Sequence, residues 1–120
     1  MLHAELTAKI LEACFEVSNE LGVGYIESVY EKALQVALLQ KGVAVERQIP
    51  LNVSFRGVMV GDFSADMIVE GKVLLELKAV DAFSNRHFAQ LLNYLRATGC
   101  RTGLILNFGT PQLGIKRMMS

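Results

Sequence analysis

The residues best suited to chemistry stand in two short runs, "SADMIV" and "LLELKAV". They are Asp66 and, ten residues on, Glu76 and Lys78. Leu74, Leu75, Leu77, Ala79 and Val80 read as a strand, which puts Glu76 and Lys78 on the same face of it. A charge buried in a strand is costly unless it is paired or put to use. Two carboxylates close together repel, and neither stays ionised comfortably without a cation between them. Such hard oxygen ligands, completed by waters and substrate phosphate, are what Mg²⁺ accepts. Lys78 beside that ion would position or deprotonate a water, or stabilise negative charge developing on phosphorus. The plain alternative is a Glu76–Lys78 or Asp66–Lys78 salt bridge on a half-exposed sheet face.

Whether the two acids meet depends on the elements that carry them. From Asp62 to Val69, one strand face would show Phe63, Ala65, Met67 and Val69, the other Asp62, Ser64, Asp66 and Ile68. From Val73 to Ala79, the corresponding faces are Val73, Leu75, Leu77 and Ala79, then Leu74, Glu76 and Lys78. Residues opposed in an antiparallel hairpin share a face. A two-residue turn sets Asp66 opposite Leu75 or Leu77 and mixes the faces. A three-residue loop, Glu70 to Lys72, sets it opposite Glu76, with Cβ atoms roughly 4.5–5.5 Å apart. The sequence therefore predicts an odd loop, or a bulge that restores the same parity.

Around this hairpin the periodicity changes twice. Leu6, Ile10, Cys14, Val17 and Leu21 recur at helical spacing, so a first helix is expected from about Glu5 to Leu21, with Gly22 as its stop. A second should run from about Glu27 to Lys41. "VAVERQIPLNVSF" then alternates as half-buried strands do, and Arg56-Gly57 reads as a turn. Ser84 could cap a third helix from about Asn85 to Thr98, with a stripe of Phe88, Leu91, Leu92 and Leu95. "TGLILNF" reads as a buried strand and "LGIKRMM" as a last short one. The order is ααβββαβ(β), an α/β fold with a central mixed sheet flanked by helices.

No linker, repeat or low-complexity run divides the chain, and 52% hydrophobic residues suit one domain, 1–120, around one core. Twelve basic residues balance twelve acidic ones, which argues against a large phosphate-gripping surface. Cys14 and Cys100 have no CxxC or Cys/His zinc spacing and read as reduced thiols. The start "MLHAELTAKI" lacks the basic and apolar regions of a signal peptide, and no apolar run approaches a membrane span. A soluble cytoplasmic protein is expected.

Asp66, then Glu76-Leu77-Lys78, then a helix bearing Gln90 and Tyr94, resembles the PD-(D/E)XK nuclease superfamily. More narrowly, Gly24-Tyr25-Ile26-Glu27-Ser28-Val29-Tyr30 is similar to the signature of the small GxxExxY proteins of prokaryotes, and "ELKAV", "HFAQLLNYLRATG" and "GLILNFG" are similar to their later blocks. The resemblance runs from the first helix to Arg117. It implies a restriction-endonuclease-like core and Mg²⁺-dependent hydrolysis of phosphodiester bonds in DNA or RNA, with Mn²⁺ as a substitute ion. By the same resemblance Asp66 and Glu76 would ligate the metal, Leu77 would add its backbone carbonyl, and Lys78 would be the catalytic lysine. Glu27 matches an acid supplied from an early helix, giving a further carboxylate near the metal, and Gln90 matches a helix residue lining the site. The proline that often precedes the Asp is missing from "SADM", as in many members. The superfamily includes non-nuclease members, so a non-catalytic nucleic-acid- or protein-binding module that keeps the fold is the alternative. Small nucleases of this architecture commonly pair, so a homo-oligomer is expected to enlarge the gripping surface.

The remaining polar residues carry two readings each. Glu27 also stabilises the dipole at the start of its helix. Gln90 and Tyr94 share a helix stripe with His87, which reads equally as a solvated residue; Tyr94 reads equally as a boundary residue covering the sheet. Asn107 either hydrogen-bonds a loop or faces the site. Arg86, Arg96, Arg101, Lys116 and Arg117 are candidate phosphate contacts or ordinary surface charges. Gly22 and Gly24 read as a stop and a hinge, not a phosphate loop, since no lysine follows at the required spacing.

Overall fold

Two apolar helices, three antiparallel strands and a helical crossover make up most of the chain. The computed structural model describes residues 2–120. The elements are α1 (Ala4–Leu21), α2 (Glu27–Gln40), β1 (Val45–Phe55), β2 (Val58–Val69), β3 (Val73–Lys78), α3 (Asn85–Thr98), β4 (Thr102–Asn107) and β5 (Gly114–Met119). They form one five-stranded mixed sheet in the order β1-β2-β3-β4-β5. Every neighbouring pair is antiparallel except β3 and β4, which α3 joins as a parallel crossover.

The helices cover opposite faces of the sheet. α1 and α2 bury Ile10, Cys14, Tyr30 and Leu34 against Met67, Val69, Leu75, Leu77 and Leu106. α3 buries Leu91, Tyr94 and Leu95 against Ile68, Leu74 and Ile105. β3 therefore lies between two apolar layers, and Val73 to Leu77 are all buried. Its nearly continuous apolar run is what a doubly covered strand requires. Glu76, only 3% exposed, is an ionisable group in the middle of it.

β1 and β2 extend past the sheet body as a long two-stranded arm, which stretches the molecule to 47 × 29 × 23 Å. Arg56 and Gly57 turn the arm with φ of 50° and 82°, both left-handed, as a tight two-residue hairpin connection needs. Val53 and Phe55, expected to be half-buried by their alternation, are exposed, because the arm leaves the helices behind.

Candidate active site

The hairpin that carries the acids has the expected three-residue loop. Val69 pairs with Val73, Ile68 with Leu74 and Met67 with Leu75, so the next position sets Asp66 against Glu76. There the backbone ladder stops and the side chains take it over. The Asp66 N–H donates to Glu76 Oε1 at 3.1 Å, and the Leu77 N–H donates to Asp66 Oδ2 at 2.8 Å. Each carboxylate thus accepts a backbone bond from the opposite strand, which holds the two acids together.

The expected face alternation along β2 fails at this same residue. Met67 and Val69 pack on the α1/α2 side, but Ala65 packs on the α3 side with Ile68. Phe63 likewise approaches Tyr94 of α3. The cause lies on β1: Arg47 pairs with Met67 and Ile49 with Ala65 in unbroken register, while Gln48 between them, at φ 52°, does not pair. A residue in that left-handed conformation switches the sides of the strand.

Burial sets the electrostatics. Asp66 is pushed up mainly by desolvation; the Leu77 N–H and Lys78 act against this, while Glu31 and Glu27 add to it. Glu76 is pushed up to about 8 by desolvation and then by the Asp66 charge, against the Asp66 N–H bond and Lys78. Among the described residues neither acid forms an ion pair with Lys78; the ion pairs are Lys41 with Glu12 and Glu16, and Arg47 with Glu31. The plain salt-bridge alternative is absent. Lys78 Nζ instead donates to Gln90 Oε1 at 3.1 Å, and Gln90 Nε2 donates to the Tyr94 hydroxyl at 3.3 Å. Asp66, Glu76, Lys78, Gln90 and Tyr94 are thereby gathered where β2, β3 and α3 meet.

A model of the PD-(D/E)XK nuclease superfamily matches residues 4–118. The chain belongs to that superfamily. The crystal structure of SSO0001 is similar in fold, with a TM-score of 0.61 and 17% identity over 78% of this chain and 50% of that one. This chain thus spans half the length of that protein, and at such identity the likeness concerns fold alone. Comparison with curated proteins returns no match.

In this PD-(D/E)XK chain Glu27 is the exposed first residue of α2. Its charge reaches Asp66, but among the described residues no three His, Cys, Asp or Glu side chains converge as a metal group. The close donor pair is therefore Asp66 and Glu76, and Leu77, whose N–H holds Asp66, lies between Glu76 and Lys78. A buried and a half-buried carboxyl group set this close form a donor set suited to a hard divalent cation, completed by waters and phosphate.

Glu31 was missed by sequence reasoning. It is buried on α2 and accepts from Arg47 Nε at 3.1 Å and from Gln48 Nε2 at 2.9 and 3.1 Å. These bonds anchor the irregular turn of β1 opposite Asp66. Its spacing of four from Glu27, one helical turn along α2, was the available signal.

Tyr30 gives the Gly24–Glu27–Tyr30 pattern a physical role. Its hydroxyl donates to the Gly22 carbonyl at 2.6 Å and accepts from the Tyr25 N–H at 3.2 Å, while its ring stacks on Phe108. That fixes the loop before α2, and with it the position of Glu27.

Asn107, the last residue of β4, hydrogen-bonds a loop. Its amide holds the Val80 N–H and carbonyl and the Gly109 N–H at 2.9–3.0 Å, which ties down the chain just after Lys78. Gly109 passes so close that a Cβ there would lie 2.4 Å from the Val80 backbone. His87 caps α3, its Nδ1 accepting the Ser84 N–H at 3.1 Å, and burial and then Lys78 push its pKa down. Of the five basic candidates Arg86 lines the cleft beside Lys78, Lys116 lies over the Phe88 ring, and Arg117 donates to the Leu2 carbonyl. Arg96 and Arg101 are exposed.

Proposed function

We propose that this chain is a divalent-metal-dependent nuclease that hydrolyses phosphodiester bonds in DNA or RNA, with Mg²⁺ as the ion and Mn²⁺ as a substitute. The observation that carries the reading is the close pair of half-buried Asp66 and buried Glu76 beside a lysine that neither acid neutralises. Asp66, Glu76 and the Leu77 carbonyl would hold the ion, with Glu27 adding negative charge at the rim. When bound, the ion supplies Lewis-acid charge against the phosphate and lowers the pKa of a coordinated water. Lys78 stabilises charge developing on the phosphoryl oxygens. Gln90 aims the ammonium through its amide oxygen, and Tyr94 accepts from the other end of that amide.

Cys14 and Cys100, both buried and unpaired, suit a cytoplasmic setting. Among the described residues no helix is long and apolar enough to cross a membrane. Pairing of two copies belongs to the same reading, since one small neutral chain offers little surface to a polynucleotide; light scattering on the purified protein tests it.

The test of the activity is cleavage of single- and double-stranded DNA and RNA with Mg²⁺ or Mn²⁺, by the wild type and by Lys78→Ala. Cleavage lost on chelation and lost in Lys78→Ala is expected. Absence of cleavage on all four substrates, with binding untouched by Lys78→Ala, overturns the reading in favour of a non-catalytic binding module.

A further inference from the structure

Beside Lys78, the root of the β1–β2 arm and α3 enclose a cleft of about 550 Å³. Its arm wall is apolar, with Leu51 and Phe63, and Tyr94 faces it from α3. The Phe63 and Tyr94 rings lie 6.4 Å apart at 47°. Two charged side chains line the cleft, Lys78 and Arg86, and both are cations; none of its described lining residues is acidic. In a chain of zero net charge this is a local concentration of positive charge beside aromatic surface.

Cations next to an apolar, aromatic wall match a ligand that is anionic at one end and flat and aromatic at the other. A nucleotide unit has that chemistry, and the volume lies in the range of small-molecule pockets. In a duplex the base faces are stacked on one another and cannot reach such a wall. In a single strand they are free, and stacking on aromatic side chains replaces part of the phosphate attraction that a neutral protein lacks. Phe63 is 47% exposed, so part of its ring is available to a ligand.

We propose that this cleft receives an unpaired nucleobase adjacent to the scissile phosphate, and that the substrate is single-stranded or frayed DNA or RNA. The placement next to the scissile phosphate rests on the nuclease reading of Lys78; the base pocket itself rests on the cleft.

The experiment uses the full chain and a fluorescein-labelled twelve-nucleotide oligonucleotide, as single-stranded DNA, single-stranded RNA or blunt DNA duplex. Anisotropy is read in EDTA, and cleavage in Mg²⁺. Single strands are expected to bind at least about 10-fold tighter than the duplex, and Phe63→Ala to weaken single-strand binding about 5- to 150-fold with duplex binding unchanged. Because the chain has no tryptophan, the Phe63→Trp variant carries a single reporter. Its fluorescence should be quenched by single strands and not by the duplex, which also tests the cleft if Phe63→Ala fails to fold.

Equal binding of duplex and single strands, with neither Phe63 variant responding to the strand, overturns the proposal. Should single strands bind through Phe63 while nothing is cleaved, the base pocket stands and the nuclease reading falls. If blunt duplex is cleaved as fast as single strands, and equally by Phe63→Ala, the pocket falls and the nuclease reading stands.

Discussion

Glu76→Gln keeps the shape of the acid pair and removes one of its charges, and its effect on the metal-free protein follows from burial. Desolvation and the Asp66 charge lift the Glu76 carboxyl from 4.5 to about 8. Between those values the folded chain holds a proton that the unfolded chain has released. Stability therefore falls as pH rises through this window, and the loss is complete above about 8. Each pH unit is worth about 1.36 kcal/mol, so roughly 3.5 units set a ceiling of about 5 kcal/mol. Water entry and relaxation around the bared charge reduce the expected loss to about 2–3 kcal/mol. Asp66, also raised, acts with the same sign. A Gln oxygen can still accept the Asp66 N–H bond, and its NH₂ can donate to the Asp66 carboxylate, so no cavity opens. Urea unfolding in EDTA between about pH 5 and pH 9 measures the effect. The wild type should lose about 2–3 kcal/mol across that range and Glu76→Gln less than about 1 kcal/mol, leaving the variant more stable at the alkaline end. A level wild-type profile, or a variant that falls as steeply, refutes the assignment of that proton to the Glu76 carboxyl.

Gln90→Leu removes the group that aims Lys78 and leaves the carboxylates untouched. It should lower kcat about 10- to 100-fold with little change in melting temperature, read by single-turnover cleavage beside a thermal melt. Mg²⁺ at about 100 times its Kd at pH 8 should stabilise the wild type there by about 2.7 kcal/mol, and the same concentration should stabilise it less at lower pH, because a proton must leave the Glu76 carboxyl. Asp66→Asn should abolish that gain in the same titration. Asn107→Ala breaks three part-buried hydrogen bonds to Val80 and Gly109. It should cost about 2–4 kcal/mol in urea unfolding.

The meeting of Asp66 and Glu76 was legible because strand parity and loop length are local properties of the chain. Glu70-Gly71-Lys72 has the odd count that sets the acids opposite one another, and the observed register agrees. The same parity argument failed one residue further on, at Ala65 and Phe63. The break originates in Gln48, a non-glycine residue at φ 52° that no turn signal marks. It is held by bonds from Gln48 and Arg47 to Glu31, which lies in another element. A contact of that kind has no local trace. Asn107 was ambiguous for a related reason: its partners Val80 and Gly109 flank different strand ends, and only the parallel pairing of β3 with β4 brings them together. The cleft was invisible too, since it needs both the β1–β2 arm and α3.

The contact that Lys78 makes bears on which function the site can sustain. A sheet-face ion pair would set its ammonium against Asp66 or Glu76 and lower the cost of taking these groups out of water. Its hydrogen bond goes instead to a neutral amide oxygen, and Glu76 remains pushed up even with the Lys78 charge acting to lower it. Stability alone would select against this arrangement, because apolar residues of similar volume on a doubly covered strand would be neutral or better. On the proposed reading, what would relieve it is charge from outside the chain: a divalent cation against the carboxylates and a phosphate against the ammonium. Gln90 holds the lysine in place without neutralising it, as an anion-binding lysine requires. The polar groups in "LLELKAV" are thus left uncompensated within the protein, and the two partners of the proposed metal-assisted phosphodiester hydrolysis would balance them.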